Sequence, residues 1–192
     1  MIDPKLFTRR DFILAAGASA AAPAVLVLSR HFPGRSPSTA VAGDVTVVEF
    51  TDAGVRTAVV TVPKVVKSDE AWRAQLKNQL TFDVARKGGT ERPFSGAYWN
   101  EHGKGLFRCV CCDTALFSSA SKFDSGTGWP SYWQPIAEEN VKHGAASSGF
   151  TNSEVTCRRC DAHLGDLFDD GPKPTGLRYC IDSVSLRFVK ST

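Results

Sequence analysis

Two stretches of this 192-residue chain copy one another. CVCCDTALF begins at Cys109 and CRRCDAHLGDLF at Cys157, and each contains Cys-x-x-Cys-Asp-x-x-Leu. A Cys-x-x-Cys turn presents two thiolates from one tight loop, and two such turns complete a tetrahedron around a metal. Whatever fold the chain adopts must bring these turns together. A shell of four sulfurs leaves no open coordination position. Zinc held by Cys109, Cys112, Cys157 and Cys160 would therefore be structural, one ion per chain.

The rest of the composition is that of one ordinary globular domain, with 42% hydrophobic and 22% charged residues. The formal charge of +3 is concentrated at the start of the chain. Lys5, Arg9, Arg10, Arg30 and Arg35 face only Asp3 and Asp11 there, and the remainder holds 18 basic and 18 acidic residues. A neutral body offers no nucleic-acid footprint.

The basic start reads as an export leader. TRRDFILAAGASAAAPAVLVL places Arg9 and Arg10 before an apolar stretch from Phe12 to Leu28, and the small-residue site AVA follows at 40–42. The paired arginines resemble the twin-arginine type, which carries folded proteins across a membrane. The alternative is a membrane anchor, but 17 residues interrupted by Gly17, Ser19 and Pro23 are marginal for spanning about 30 Å of hydrocarbon. The membrane would then be met only through the leader, and the mature protein would sit in the periplasm or on the outer face of a bacterial membrane. Export leaves a pair of disulfides as the rival to zinc. Export in the folded state favours the metal, which loads beforehand in the cytoplasm.

Residues 29–43 are rich in Pro, Ser and Gly and read as a linker. The alternating run DVTVVEFTDAGVRTAVVTVPKV turns at Asp52-Ala53-Gly54, a hairpin signal. Ser68 is a helix N-cap candidate, with Trp72, Leu76 and Leu80 at helical spacing behind it. Two glycines and a proline then break the helical pattern, and short strands and turns follow. The organisation expected is a leader and linker over 1–42, a hairpin extension over 43–67, and a mainly β domain over 68–192 with a short helical preface.

Subtracting the four turn cysteines leaves Cys111 and Cys180. Cys111 lies inside the first turn and reads as an incidental small side chain. Cys180 stands in GLRYCIDSVSLRF. As a single strand, that stretch would put Arg178, Cys180, Asp182, Val184, Leu186 and Phe188 on one face, with Ser183, Ser185 and Arg187 toward solvent. A neighbouring cation lowers a thiol pKa and makes the nucleophilic thiolate available. Asp182 acts in the opposite direction.

Together, GTERPFSGAYW, FRCVCCDTALFSSASKFDSGTGWPSYWQPI and EVTCRRCDAHLGDLFDDGPKPTGLRYCIDSVSLRF resemble the B class of methionine sulfoxide reductases, which act on the R epimer. The resemblance runs from about Ser68 to Val189. It implies a rolled antiparallel β-sheet domain with zinc on the four turn cysteines. It also implies that Cys180 attacks the sulfoxide sulfur, an acid protonates the departing oxygen, and Cys180 is left as a sulfenic acid that a thiol reverses. By the same resemblance Trp129 walls the substrate methyl group, His163 stands near the sulfoxide oxygen, and Arg178 lies beside the nucleophile. The implied partners are oxidised proteins or peptides bearing methionine-R-sulfoxide, and a thioredoxin-like or small thiol reductant.

Three positions depart from the family's pattern. Asp166 replaces the second histidine of HLGH, Asp182 replaces the asparagine of CIN, and Thr127 stands where many members carry a recycling cysteine. Asp182 is counted here with the catalytic residues and Asp166 with the substrate-binding ones. Two rival readings follow: a zinc-ribbon binding module without chemistry, and an inactive member serving as a sulfoxide-binding or redox-sensing protein. The first leaves Trp129, Arg178 and Cys180 without a purpose.

Overall fold

A computed structural model describes residues 43–144 and 153–191, so the leader read over 1–42 lies outside the described residues. The valine-rich alternation folds as the expected hairpin, with β1 (Asp44–Phe50) antiparallel to β2 (Arg56–Pro63). Gly54 takes φ +81° in the connecting turn, a conformation that glycine adopts without steric cost. Val47 and Val48 are buried, and Asn140 staples the hairpin to the core. Its side chain accepts from the Val48 N–H at 2.7 Å and donates to the Val48 and Ala115 carbonyls, both at 2.8 Å.

Ser68 caps α1 (Asp69–Leu76), accepting from the Ala71 N–H. The single helical run implied by Trp72, Leu76 and Leu80 is divided in two. Lys77 turns into the left-handed region at φ 57°, and Asn78 caps a second helix, α2 (Gln79–Lys87). A strong N-cap at Asn78 competes with continuation of the first helix. Leu80 consequently points to solvent while Phe82, Val84 and Ala85 are buried.

The β core holds two further antiparallel sheets. One has three strands in the order β11-β3-β4, with β3 at Gly105–Cys109, β4 at Ala115–Ser118 and β11 at Leu186–Lys190. The other has six, in the order β5-β6-β10-β9-β8-β7. Its members are β5 (Lys122–Phe123), β6 (Ser131–Tyr132), β7 (Val141–His143), β8 (Ser153–Cys157), β9 (His163–Phe168) and β10 (Arg178–Ile181). The two sheets meet through aromatic rings. Tyr132 of the larger stacks on Phe117 of the smaller at 4.4 Å and meets Phe107 at 5.3 Å, while Tyr179 meets Phe117 at 5.7 Å. Offset and edge-on ring pairs of this kind add to the burial energy that holds sheets together. The mainly β architecture expected from the sequence is the one present.

GLRYCIDSVSLRF is not one strand. Strand β10 ends at Ile181, Asp182 leads into a 3-10 turn over Ser183–Ser185, and β11 resumes in the other sheet. The alternation expected for this stretch therefore fails after Cys180. Ser183 and Ser185 are 2% and 0% exposed, not solvent-facing. Their burial is compensated by hydrogen bonds, since Ser185 donates to the His163 carbonyl at 2.8 Å and Ser183 accepts from the Tyr98 N–H.

Candidate active site and metal centre

The duplicated sequence folds into a duplicated knuckle. The Asp113 N–H donates to the Cys109 carbonyl and the Asp161 N–H to the Cys157 carbonyl, each at 2.9 Å. Asp113 and Asp161 both adopt positive φ, 65° and 52°, a conformation that aspartate tolerates better than most residues. Each knuckle is then closed by the residue following its aspartate, with Cys109 N–H to Thr114 and Cys157 N–H to Ala162. The helical preface braces both: Gln75 donates to the Cys111 carbonyl and Arg86 to the Cys160 carbonyl.

The sulfurs of Cys109, Cys112, Cys157 and Cys160 all lie within 4.8 Å of one another. Cys109–Cys160 and Cys112–Cys157 are separated by 3.6 and 3.5 Å. A disulfide bond is about 2.05 Å, whereas Zn–S bonds of about 2.3 Å at tetrahedral angles need sulfurs a little under 4 Å apart. All six cysteines are free, and these four can hold a metal ion. Cys111 is buried beside them but lies outside the four-sulfur group.

Cys180 lies elsewhere, on the face of the six-stranded sheet away from the aromatic core. Its register partner on β9 is Asp166, and Arg178 faces Phe168. Residues directly opposite in an antiparallel pair project to the same side. The four side chains thus share a face, with the Arg178 guanidinium 4.2 Å from the Phe168 ring. A cavity of about 140 Å³ opens over it, lined by Thr90, Trp129, Gly165, Asp166, Phe168, Cys180 and Asp182. Gly165 has φ +148°, and a Cβ there would sit 2.0 Å from the Cys180 carbonyl oxygen, so only glycine lets β9 pass this close. Trp129 is fixed by its indole N–H donating to the Glu91 carbonyl at 3.1 Å.

Comparison with known proteins adds to this geometry. A family profile described as the SelR domain matches residues 77–190. A protein named peptide methionine sulfoxide reductase MsrB from Herminiimonas arsenicoxydans is 55% identical over 126 residues, which is 65% of this chain and 91% of the relative. Its counterpart in Thioalkalivibrio sulfidiphilus is 53% identical over 122 residues, 63% and 88% of the two chains. A protein named peptide methionine sulfoxide reductase B1, chloroplastic, from rice is 54% identical over 126 residues, 65% of this chain and 58% of that one. This chain belongs to the SelR family.

The positions at which the chain departs from the family's pattern gather around one thiol. Asp182 is 2% exposed and lines the cavity with Cys180. Its Oδ1 accepts from the Glu91 N–H at 2.9 Å, and its Oδ2 is 3.8 Å from His163 Nε2. Burial pushes the Asp182 carboxyl up to about 7; the Glu91 and Asp166 charges act in the same direction, and the Glu91 N–H and His163 against it. His163 does not line the cavity. It stands behind Asp182, with Nδ1 2.7 Å from the Glu154 carboxylate. Thr127 Oγ1 lies 3.9 Å from the Cys180 sulfur, so that position does face this thiol.

The opposed influences of Arg178 and Asp182 expected on Cys180 are both present, with burial added to them. Burial pushes the thiol above its ordinary value; Arg178 and Thr127 lower it, and Asp182 and Asp166 raise it again. Arg178 is also engaged elsewhere, donating from Nε and Nη2 to both Asp170 oxygens at 2.7 and 2.8 Å. That fork, the geometry in which arginine binds carboxylate best, holds Asp170 below the usual carboxylate range. Sequence reasoning missed Asp170, eight residues before Arg178. It also missed Glu154 and the buried Glu91, whose carboxylate accepts from the Ser183 and Val184 N–H groups. GTERPFSGAYW was legible as a motif, but nothing local shows that its glutamate caps the turn after Cys180.

Proposed function

We propose that this chain reduces methionine-R-sulfoxide in proteins and peptides to methionine, with Cys180 as the nucleophile. The observation that carries the reading is the cavity itself: one thiol, one indole face and two carboxyl groups around a volume suited to a single thioether side chain. Trp129 packs against the substrate methyl group, and Arg178 supports the Cys180 thiolate as it forms. His163 stands behind Asp182, outside the cavity, and Asp166 contributes the polar wall. Cys180 sulfur donates an electron pair to the sulfoxide sulfur, takes up the hydroxyl and becomes a sulfenic acid, while methionine leaves. Two external thiols, from a thioredoxin-like protein or a small reductant, then return the thiol, releasing water and a disulfide.

Zinc is the metal that four converging thiols at this spacing fit best. It would hold the two knuckles together, and no step of the reaction involves it. The arginine pair and apolar run within residues 1–42 support export, with the mature protein in the periplasm or at the outer face of a bacterial membrane. The carboxyl groups at 166 and 182 bear on a second reading, an inactive sulfoxide-binding member. A single assay decides between them. Protein recovered from a periplasmic fraction should consume methionine-R-sulfoxide peptide with dithiothreitol, and Cys180→Ser should abolish turnover while keeping its metal. Turnover by Cys180→Ser, or none by the unmodified chain, would reject the proposal; recovery only from cytoplasm would reject the location.

A further inference from the structure

We propose that Asp182 is the acid that protonates the sulfoxide oxygen, an inference that rests on the reduction chemistry of Cys180 proposed above. Asp182 lines the same cavity as Cys180 and is 2% exposed. A buried carboxylate without a full set of donors is costly, whereas a carboxylic acid in the same place is a competent donor. Its surroundings do not supply those donors. The segment after α2 contributes one N–H, from Glu91, together with that residue's own buried carboxylate. Strand β9 presents Asp166 in the cavity and His163 Nε2 at 3.8 Å. Strand β10 contributes Cys180 and Arg178, and the Arg178 fork is closed on Asp170. His163 Nδ1 lies 2.7 Å from the Glu154 carboxylate, and the ring stands behind Asp182, outside the cavity lining. Asp182 is therefore a buried, cavity-lining carboxyl able to give a proton beside Cys180.

The step balances with the single proton that the pair of groups carries. Cys180 as thiolate donates its pair to the methionine sulfur, forming the Sγ–S bond, and the sulfoxide oxygen takes the proton of Asp182. The Sγ–S and S–O bonds then break together as the Sγ–O bond forms, and one pair returns to the methionine sulfur. Methionine is reduced by two electrons, Cys180 is oxidised by two to the sulfenic acid, and Asp182 is left as carboxylate.

Protonation of the pair dictates the pH dependence. Thiol and carboxyl together hold two protons at low pH, one at intermediate pH and none at high pH. Only the singly protonated pair contains the reactive arrangement of thiolate and acid, as the minor form in equilibrium with thiol and carboxylate. The kcat/KM profile is then a bell. It rises near pH 7, where the Asp182 carboxyl gives up the first proton, and falls above the ordinary thiol range as the second is lost.

Asp182→Asn tests this directly, because the amide oxygen can still accept from the Glu91 N–H while the acid proton is gone. With a methionine-R-sulfoxide peptide, its maximal kcat/KM should fall about 100-fold, within the usual span for a lost general acid. Its profile should lose the alkaline limb and become a single rise that follows Cys180 ionisation, measured separately by alkylation rate. Retention of the alkaline limb, or of the unmodified maximum, would overturn the proposal. So would an unmodified enzyme whose rate never declines at high pH, a result that needs no variant to fold. Turnover that survives Cys180→Ser would remove the underlying chemistry as well, and is distinguished by that variant alone.

Discussion

The sulfurs of Cys109, Cys112, Cys157 and Cys160 face one another inside the protein, whereas the sulfur of Cys180 faces a cavity walled by Trp129, Asp166, Phe168 and Asp182. The knuckle thiols are held by backbone turns, and their ligand set is closed. Cys180 is held by a strand that ends one residue later, at Ile181, and its surroundings are acidic. A thiol becomes structural where other thiols surround it and reactive where a substrate can reach it. The same residue type is thus assigned opposite tasks by its neighbours. Glu91 links the chemistry to the fold: its carboxylate caps the turn after Cys180, its N–H holds Asp182, and its carbonyl holds Trp129.

The largest effect expected from breaking this comparison lies at the knuckles. Cys157→Ser, or prolonged chelation, should abolish cooperative folding. Structural zinc in small sites contributes on the order of 10 kcal/mol, comparable to the whole stability of a domain. Metal analysis alongside thermal unfolding checks it. A metal-free chain that melts like the native protein would make the two regions equivalent after all.

A smaller effect is expected at the pocket. Arg178→Gln removes the cation nearest Cys180 and opens the fork to Asp170. Alkylation of Cys180 near neutral pH should slow about tenfold, the effect of one pKa unit, with metal content unchanged. The sign is fixed by the thiolate being the reactive form: losing a favourable charge raises the thiol pKa and reduces the thiolate present at a given pH. An unchanged or faster rate would show that burial alone sets the thiol.

How much of this was legible in the sequence differs between the same two regions. The knuckles were readable because their chemistry is local: each Cys-x-x-Cys-Asp closes on itself, and only the meeting of the two halves required the fold. The pocket was readable in most of its members, since Trp129, Asp166, Cys180 and Asp182 line it while Arg178 and His163 do not, but not in its balance of charge. Strand alternation put Arg178 beside Cys180 correctly, yet could not show that Asp170 occupies the guanidinium or that burial outweighs it. The same alternation failed at Asp182, where the chain crosses from one sheet to the other through Ser183–Ser185. Ser183 is buried where Glu91 and Tyr98, far away in sequence, bond to it, and Ser185 where it donates to the His163 carbonyl. Likewise Lys77 ended a helix that apolar spacing alone would have continued, because the cap at Asn78 is a local competitor that periodicity ignores.

Oxidation of Cys180 itself is the claim on which everything else depends, and intact mass reads it without ambiguity. Fully reduced protein is mixed with excess methionine-R-sulfoxide peptide, no reductant is added, and both the protein and the methionine released are measured. One methionine per chain should form, and the chain should gain one oxygen that peptide mapping places on Cys180. Thr127 supplies no second thiol beside it, and Cys111 is confined within a braced knuckle. A chain lighter by two hydrogens would mean that Cys111 reaches Cys180 and that direct reduction by an external thiol is wrong. Methionine released with Cys180 unmodified would contradict the account altogether.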